Sequence, residues 1–220
     1  MHFKTPLDMP RSTHYGSNYY VVRSTKNHRQ CKFFSTLEYY NYLTLETNPE
    51  VESFCEQPLK IEVVIDNEVK HAIFDMWVKY KDGIEEFQEV KYTAELSGMD
   101  SAAVRSQEQI RREEKWCQDN NVGFKVRTEK DIIKGRFYIQ NLQIISARLR
   151  RYMPTDNSYY NPAIEKALRT YGTMSFAQLV DNKLLPILHE WDHICYMYEK
   201  GIIKLNLSDY PLDNNTEIYL

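Results

Sequence analysis

The stretch FDMWVKYKDGIEEFQEVKY, residues 74–92, places three ionisable side chains where a strand core calls for valines. Asp75 interrupts an apolar run, with Ala72, Ile73 and Phe74 before it and Met76, Trp77 and Val78 after it. Farther on, Glu89 and Lys91 flank a single valine. Lone charges in such sequence are costly to bury unless they are paired or bound to a metal. Side chains alternate faces along a strand, so Glu89 and Lys91 share one face and Val90 takes the other. Asp82-Gly83 is a hairpin-turn pair. Folding the stretch there brings Asp75 opposite about residue 90, beside Glu89 and Lys91. Two neighbouring carboxylates repel, and one lysine does not cancel both. A divalent cation with hard oxygen ligands, Mg²⁺ or Mn²⁺, does. The lysine is then placed to position or activate water, or to stabilise the transition state of phosphodiester cleavage. The alternative is a solvated strand face with a salt bridge, because an acid followed by E-x-K recurs by chance in many chains.

Outward from this hairpin, YYVVRST (19–25), IEVVID (61–66), HAIFDMWVKY (71–80), EEFQEVKY (85–92) and GFKVRTE (123–129) read as strands. Asp66-Asn67 marks a second tight turn. STLEYYNYLTLE (35–46) reads as a helix: Ser35 and Glu38 have capping-box spacing, and Leu37, Tyr40, Leu43 and Leu45 supply an apolar side. Residues 101–120 form a long helix opened by Asp100 or Ser101, whose Arg111-Arg112-Glu113-Glu114 run reads as a solvated face. Helix, three-strand meander, helix, strand is the order of an α/β domain with a mixed sheet flanked by helices.

RRYMPTDNS (150–158) breaks the pattern and sets domains at 1–150 and 157–220. The second part reads as helices 161–172, 175–182 and 185–201 followed by strands 202–207 and 216–220, the order of a small winged-helix-like domain. Its HEWDH (189–193) matches the zinc-protease signature H-E-x-x-H. Only 27 residues follow, with no further histidine and Cys195 as the last cysteine, so a third ligand is hard to find. A surface stripe on a partner-binding helix is the simpler account. The paired tyrosines, such as Tyr39-Tyr40, suit packing better than base stacking.

Net charge is −3, so the chain as a whole is no basic nucleic-acid binder. The distribution is uneven. Lys4, Arg11, Arg23, Lys26, Arg29 and Lys32 stand against Asp8 alone in residues 1–32, a basic arm suited to phosphate or else a solvated terminus. Residues 151–220 carry 6 basic and 9 acidic side chains and are poorly suited to it. The four cysteines are far apart with no C-x-x-C, which fits free thiols in a reducing compartment. No apolar run approaches a membrane span and no secretory leader is visible, so a cytoplasmic protein is expected.

The order of these elements resembles a known family. The acid–E-x-K pattern is similar to the PD-(D/E)xK nuclease superfamily with the restriction-endonuclease fold. More narrowly, STLEYYNYLTLETNPEVESFCEQPLKI (35–61) resembles the TnsA endonuclease subunits of heteromeric cut-and-paste transposases. Leu37-Glu38 matches that family's Ser-x-Leu-Glu helix, and Val51, Phe54, Glu56, Gln57 and Pro58 match its following segment. Asp75 and Glu89-Val90-Lys91 match its catalytic strands, and the tail from Ile202 is similar to its wing. The resemblance implies a restriction-endonuclease-like domain followed by a winged-helix-like one. It implies a Mg²⁺ (or Mn²⁺) site formed by Glu38, Asp75, Glu89 and the Val90 backbone carbonyl, with Lys91 as catalytic lysine. The family tolerates Gln where this chain has Glu89. The implied activity is cleavage of the 5′, non-transferred strands at transposon ends in a prokaryotic cell. The implied partners are transposon-end DNA, a DDE-type transposase and an AAA+ ATPase regulator. A free-standing restriction or repair nuclease and a non-catalytic assembly subunit are the alternatives.

Overall fold

The computed structural model describes residues 3–10, 18–152 and 159–220. Two compact units emerge: Met1–Leu45 with Glu50–Ile132, and Glu46–Pro49 with Ile133–Leu220. The sequence boundary fell later, at 150–158, most of which lies outside the described residues.

The first unit is built on a four-stranded sheet in the order β3 (Val51–Glu56), β6 (Met76–Tyr80), β7 (Glu85–Val90), β8 (Gly123–Arg127). The first three strands run antiparallel and β8 is parallel to β7, so the sheet is mixed as expected. The β6–β7 hairpin turns at Asp82-Gly83, where Gly83 takes φ 89° and costs no Cβ clash. One face receives α3 (Ser101–Asp119), which Asp100 caps by accepting from the Ala102 and Ala103 N–H groups. Cys55, Phe74, Trp77, Phe87 and Cys117 form the core there, with Trp116 and Phe124 packed against it. The Phe74 and Phe87 rings stack with centroids 4.1 Å apart. Such a pair adds about 1 kcal/mol beyond its buried area. The other face receives α1 (Thr36–Thr47), whose Tyr42 meets Phe54 edge-on.

The expected three-strand meander does not exist as one sheet. The run 71–80 breaks at Phe74-Asp75: β4 (Lys60–Ile65) and β5 (Glu68–Ile73) form a separate two-stranded ribbon packed on α3. Asp66 and Asn67, at φ 52° and 62°, make its turn. A further hairpin, β1 (Tyr20–Arg23) with β2 (Gln30–Phe33), holds part of what the sequence presented as a basic arm. Two short helices, α2 (Thr93–Ser97) and α4 (Glu129–Ile132), complete the unit.

The second unit holds α5 (Tyr138–Leu149), α6 (Tyr160–Tyr171), α7 (Phe176–Asp181) and α8 (Glu190–Glu199). A three-stranded antiparallel sheet joins them, in the order β10 (Lys204–Leu205), β11 (Glu217–Tyr219), β9 (Met174–Ser175). Ser175 and Gln178 close a capping box at α7. Helix α8 starts later than the expected 185, because Pro186 and Leu188, at φ 70°, interrupt the chain before it. Helix α5, which the sequence grouped with the first domain, belongs here. Buried Asn141 donates to the Leu207 and Tyr210 carbonyls and accepts from the Leu212 N–H, which fastens the β10–β11 loop to α5.

Candidate active site

The β6–β7 register pairs Lys79 with Glu85 and Met76 with Gln88, so one step further Asp75 comes opposite Glu89. Asp75 lies in the bend ahead of β6 rather than within a strand. That bend is pinned from both sides. The Phe74 N–H donates to the Leu59 carbonyl at 3.3 Å, and the Gln57 N–H donates to the Asp75 carbonyl at 3.0 Å. Gln57 reaches it with φ 36°, a left-handed conformation uncommon for a side-chain-bearing residue. The Asp75 carboxylate accepts from the Val90 N–H at 2.8 Å, and Lys91 Nζ lies 2.7 Å from Glu89 Oε1. The structure thus brings Asp75, Glu89 and Lys91 together on the α3 side of the sheet.

Glu38 arrives from the N-terminus of α1. Its N–H donates to Ser35 Oγ at 3.1 Å, as a capping box requires, but its carboxylate accepts from the Phe34 N–H rather than from the cap residue itself. Gln57 Nε2 donates to the same oxygen, Glu38 Oε2, at 3.4 Å. One residue, Gln57, therefore ties Glu38 to the backbone of Asp75. On the α1 side a polar chain holds the helix to the sheet. Asn41 donates to Gln88 at 2.9 Å, and Gln88 and Tyr80 both donate to Glu86. Arg127 donates to Asn41 at 3.3 Å.

The electrostatics are adverse. Burial pushes the Glu38 carboxyl up to about 7, with Asp75 adding to the rise. Burial also raises Asp75, against the pull of Lys91. Glu89, with 0% of its surface exposed, is raised well above the carboxylate range by burial and by Asp75 and Glu113. Burial works against the Lys91 charge, yet Asp75 and Glu89 outweigh it and hold the ammonium protonated. Glu89 Oε2 has no hydrogen-bond partner.

The sequence missed Glu113. Read as solvated, it is fully buried on α3 and raised to about 8, chiefly by burial. Gln109, one turn earlier, donates to both Glu89 and Glu113. The signal was present in the spacing, since Glu113 falls on the same stripe as buried Ala103, Ser106 and Cys117.

Among the described residues no group of three or more His, Cys, Asp or Glu side chains stands in metal-holding geometry. The donor set nevertheless suits a hard divalent cation: its members are carboxylate oxygens, they repel one another, and one buried oxygen of Glu89 has nothing to bond.

The basic residues of the sequence reading do not form a free arm. Arg29 forks onto buried Glu56 with both contacts at 2.6 Å, and Lys26 donates to the Val51 carbonyl at 3.1 Å. Arg23 and Lys32 are exposed on one face of the β1–β2 hairpin, and Lys4 is exposed. Arg11 lies outside the described residues. In the second unit HEWDH is not a surface stripe. His193 is fully buried and shares a 3.0 Å hydrogen bond with the Tyr152 hydroxyl, while His189 lies 3.3 Å from Asp192.

Residues 48–129 match the model of the TnsA-like endonuclease N-terminal family, so this stretch is similar to a TnsA-like endonuclease N-terminal domain. It contains Asp75, Glu89, Lys91, Gln109 and Glu113, whereas Glu38 precedes it. No curated protein matches the chain. The mixed sheet flanked by α1 and α3 is consistent with a restriction-endonuclease-like fold. No helix among the described residues is long and apolar enough to cross a membrane.

Proposed function

We propose that the protein is the DNA endonuclease subunit of a transposase, cutting the 5′, non-transferred strands at transposon ends beside a DDE-type transposase and under an AAA+ ATPase regulator. The observation that supports it most is the buried, half-unpartnered Glu89 carboxylate next to Asp75 and Lys91 inside a TnsA-like domain. Glu38, Asp75, Glu89 and the Val90 carbonyl would hold Mg²⁺, with Mn²⁺ as a substitute. The bound cation supplies charge neutralisation at the phosphate and an acidified water. Everything else falls to the chain itself. Asp75 is oriented by the Val90 N–H and by the pinned bend, so its carboxylate is set before any ligand arrives. Lys91, kept protonated, is a donor rather than a base, and its role is to bind a phosphate oxygen as negative charge develops.

Residues 157–220 are proposed as a winged-helix-like module that binds protein rather than DNA. Three helices with a three-stranded antiparallel sheet support the architecture. Helix α7 carries Asp181 and no basic residue, and α8 carries Glu190, Asp192 and Glu199 with no lysine or arginine, which is a poor supply of cations for phosphate.

The experiment uses a transposon-end duplex labelled on each strand in turn, incubated with the full chain, its transposase and Mg²⁺. Cleavage confined to the 5′ strands that disappears with Lys91→Ala is expected. Full cleavage by the Lys91→Ala protein would sink the proposal, and cleavage without any partner would favour a free-standing nuclease.

A further inference from the structure

Two buried oxygens near the site have no hydrogen-bond partner, Glu89 Oε2 and Glu113 Oε2, and their carboxylates are joined by one amide. Gln109 Nε2 donates to Glu89 Oε1 at 2.8 Å and to Glu113 Oε1 at 2.9 Å. A side-chain amide has a donor end and an acceptor end of nearly equal shape, and its neighbours decide which end faces them. Both carboxyls accept from it at Oε1, so the amide stands with its NH₂ toward both. Glu89 Oε1 thereby receives two donors, Lys91 Nζ at 2.7 Å and Gln109, and the rotation of the carboxylate is fixed. Oε2 is the oxygen left over.

We propose that Glu113, acting through Gln109, is a positioning residue that aims the Glu89 carboxylate and leaves its second oxygen for the cation. This rests on the reading of Glu89 as a cation ligand given above. Glu113 is not itself cast as a ligand, because its Oε1 is already engaged by Gln109. The pair sits on a long helix capped at Asp100 and anchored in the core at Cys117, so its geometry is set by a rigid element rather than by a loop. Gln109 and Glu113 are four residues apart and so share one face of that helix. Without an acceptor at position 113 the amide is free to turn its oxygen toward Glu89. Two oxygens at hydrogen-bond distance repel, and the carboxylate then loses one of the two contacts that orient it.

The test is Mn²⁺ binding by the full chain, followed by calorimetry and by the Mn²⁺-induced rise in Tm, neither of which needs DNA or turnover. Glu113→Leu removes the acceptor at similar volume, and Gln109→Ala removes the relay. Each is expected to weaken Mn²⁺ binding about tenfold. Glu113→Gln keeps an amide oxygen that accepts from Gln109, and is expected to return binding close to the wild-type value. A purely structural role would instead lower the metal-free Tm and leave the Mn²⁺ affinity alone. If Glu113→Leu does not fold, Gln109→Ala carries the same expectation. Wild-type affinity in Glu113→Leu and in Gln109→Ala overturns the inference. So does a Glu113→Gln protein as weak as Glu113→Leu, since charge rather than orientation would then matter. If the wild type binds no Mn²⁺, the cation reading of the cluster falls and takes this inference with it. If the wild type binds and the variants bind equally, the inference falls alone.

Discussion

The carboxylate cluster of the first unit and the HEWDH helix of the second both gather ionisable side chains around at least one buried one, and they are settled in opposite ways. In HEWDH the charges have been resolved within the protein. Asp192 takes a 2.8 Å hydrogen bond from Arg148 and another from His189, which hold its carboxyl low against the opposing effect of burial. His193 is pushed toward its neutral form by burial and shares its Nδ1 with Tyr152, so its buried, unpartnered Nε2 carries no charge to compensate. In the first unit Asp75, Glu89 and Glu113 lie close together with one ammonium among them; burial lifts all three, and Asp75 adds to the rise of Glu89 and Glu113. A motif match distinguished neither case. The difference lies in whether a buried charge has been compensated, and uncompensated charge is what a protein keeps for a ligand.

The largest expected effect that separates the two regions is on catalysis. Asp75→Asn and Lys91→Ala should each reduce strand cleavage about a thousandfold, on the scale of losing one transition-state contact. His189→Ala should leave cleavage unchanged. Nicking of a transposon-end duplex reads both, and equal losses in the two regions would erase the distinction.

Next comes Glu38, where the cap and the site meet in one side chain. Glu38→Gln retains an oxygen for the Phe34 N–H, so Tm should hold, while cleavage should fall about a hundredfold. Thermal unfolding measured beside nicking separates the two roles. A fall in Tm with cleavage intact would return Glu38 to a cap and nothing more.

Compensated charge elsewhere in the first unit supplies a stability contrast. Arg29→Met strands the Glu56 carboxylate, 1% exposed, and should cost about 3–5 kcal/mol in chemical denaturation. Glu89→Met, which removes a buried carboxyl rather than stranding one, should raise metal-free stability in the same measurement.

The smallest effect is a pH slope. Glu38 and Glu113 titrate near 7 and 8 in the folded chain, above their ordinary 4.5. The folded state therefore holds protons that the unfolded state has released. The resulting penalty is absent below about pH 4.5, grows through neutrality and is complete above about pH 8. Metal-free Tm should fall across that window, and Glu113→Leu should flatten part of the fall. A rising Tm would contradict the burial that lifts these carboxyls.

Much of this was legible before any coordinates, because local rules governed it. Asp100 or Ser101 announced the start of the long helix, and Asp82-Gly83 and Asp66-Asn67 announced their turns. The alternation at Glu89 and Lys91 put both on one face. The rest was set at long range. Period-two patterning says that 71–80 is extended, but not that Phe74 and Asp75 are held by Leu59 and Gln57 from another part of the chain. Glu113 was lost because charged residues in a helix default to solvent, although its neighbours along the stripe pointed inward. The stretch of α5 was read as no element at all and fell inside domain 1–150, because nothing in its own sequence shows that Asn141 reaches the loop ahead of β11.

The most direct measurement is Mn²⁺ anomalous diffraction from crystals of the full chain. The account predicts one peak bonded to Asp75 and Glu89 oxygens, at about 2.1 Å as for a hard octahedral cation. A peak on His189 and His193 instead, or none at the carboxylate cluster at saturating Mn²⁺, would contradict it.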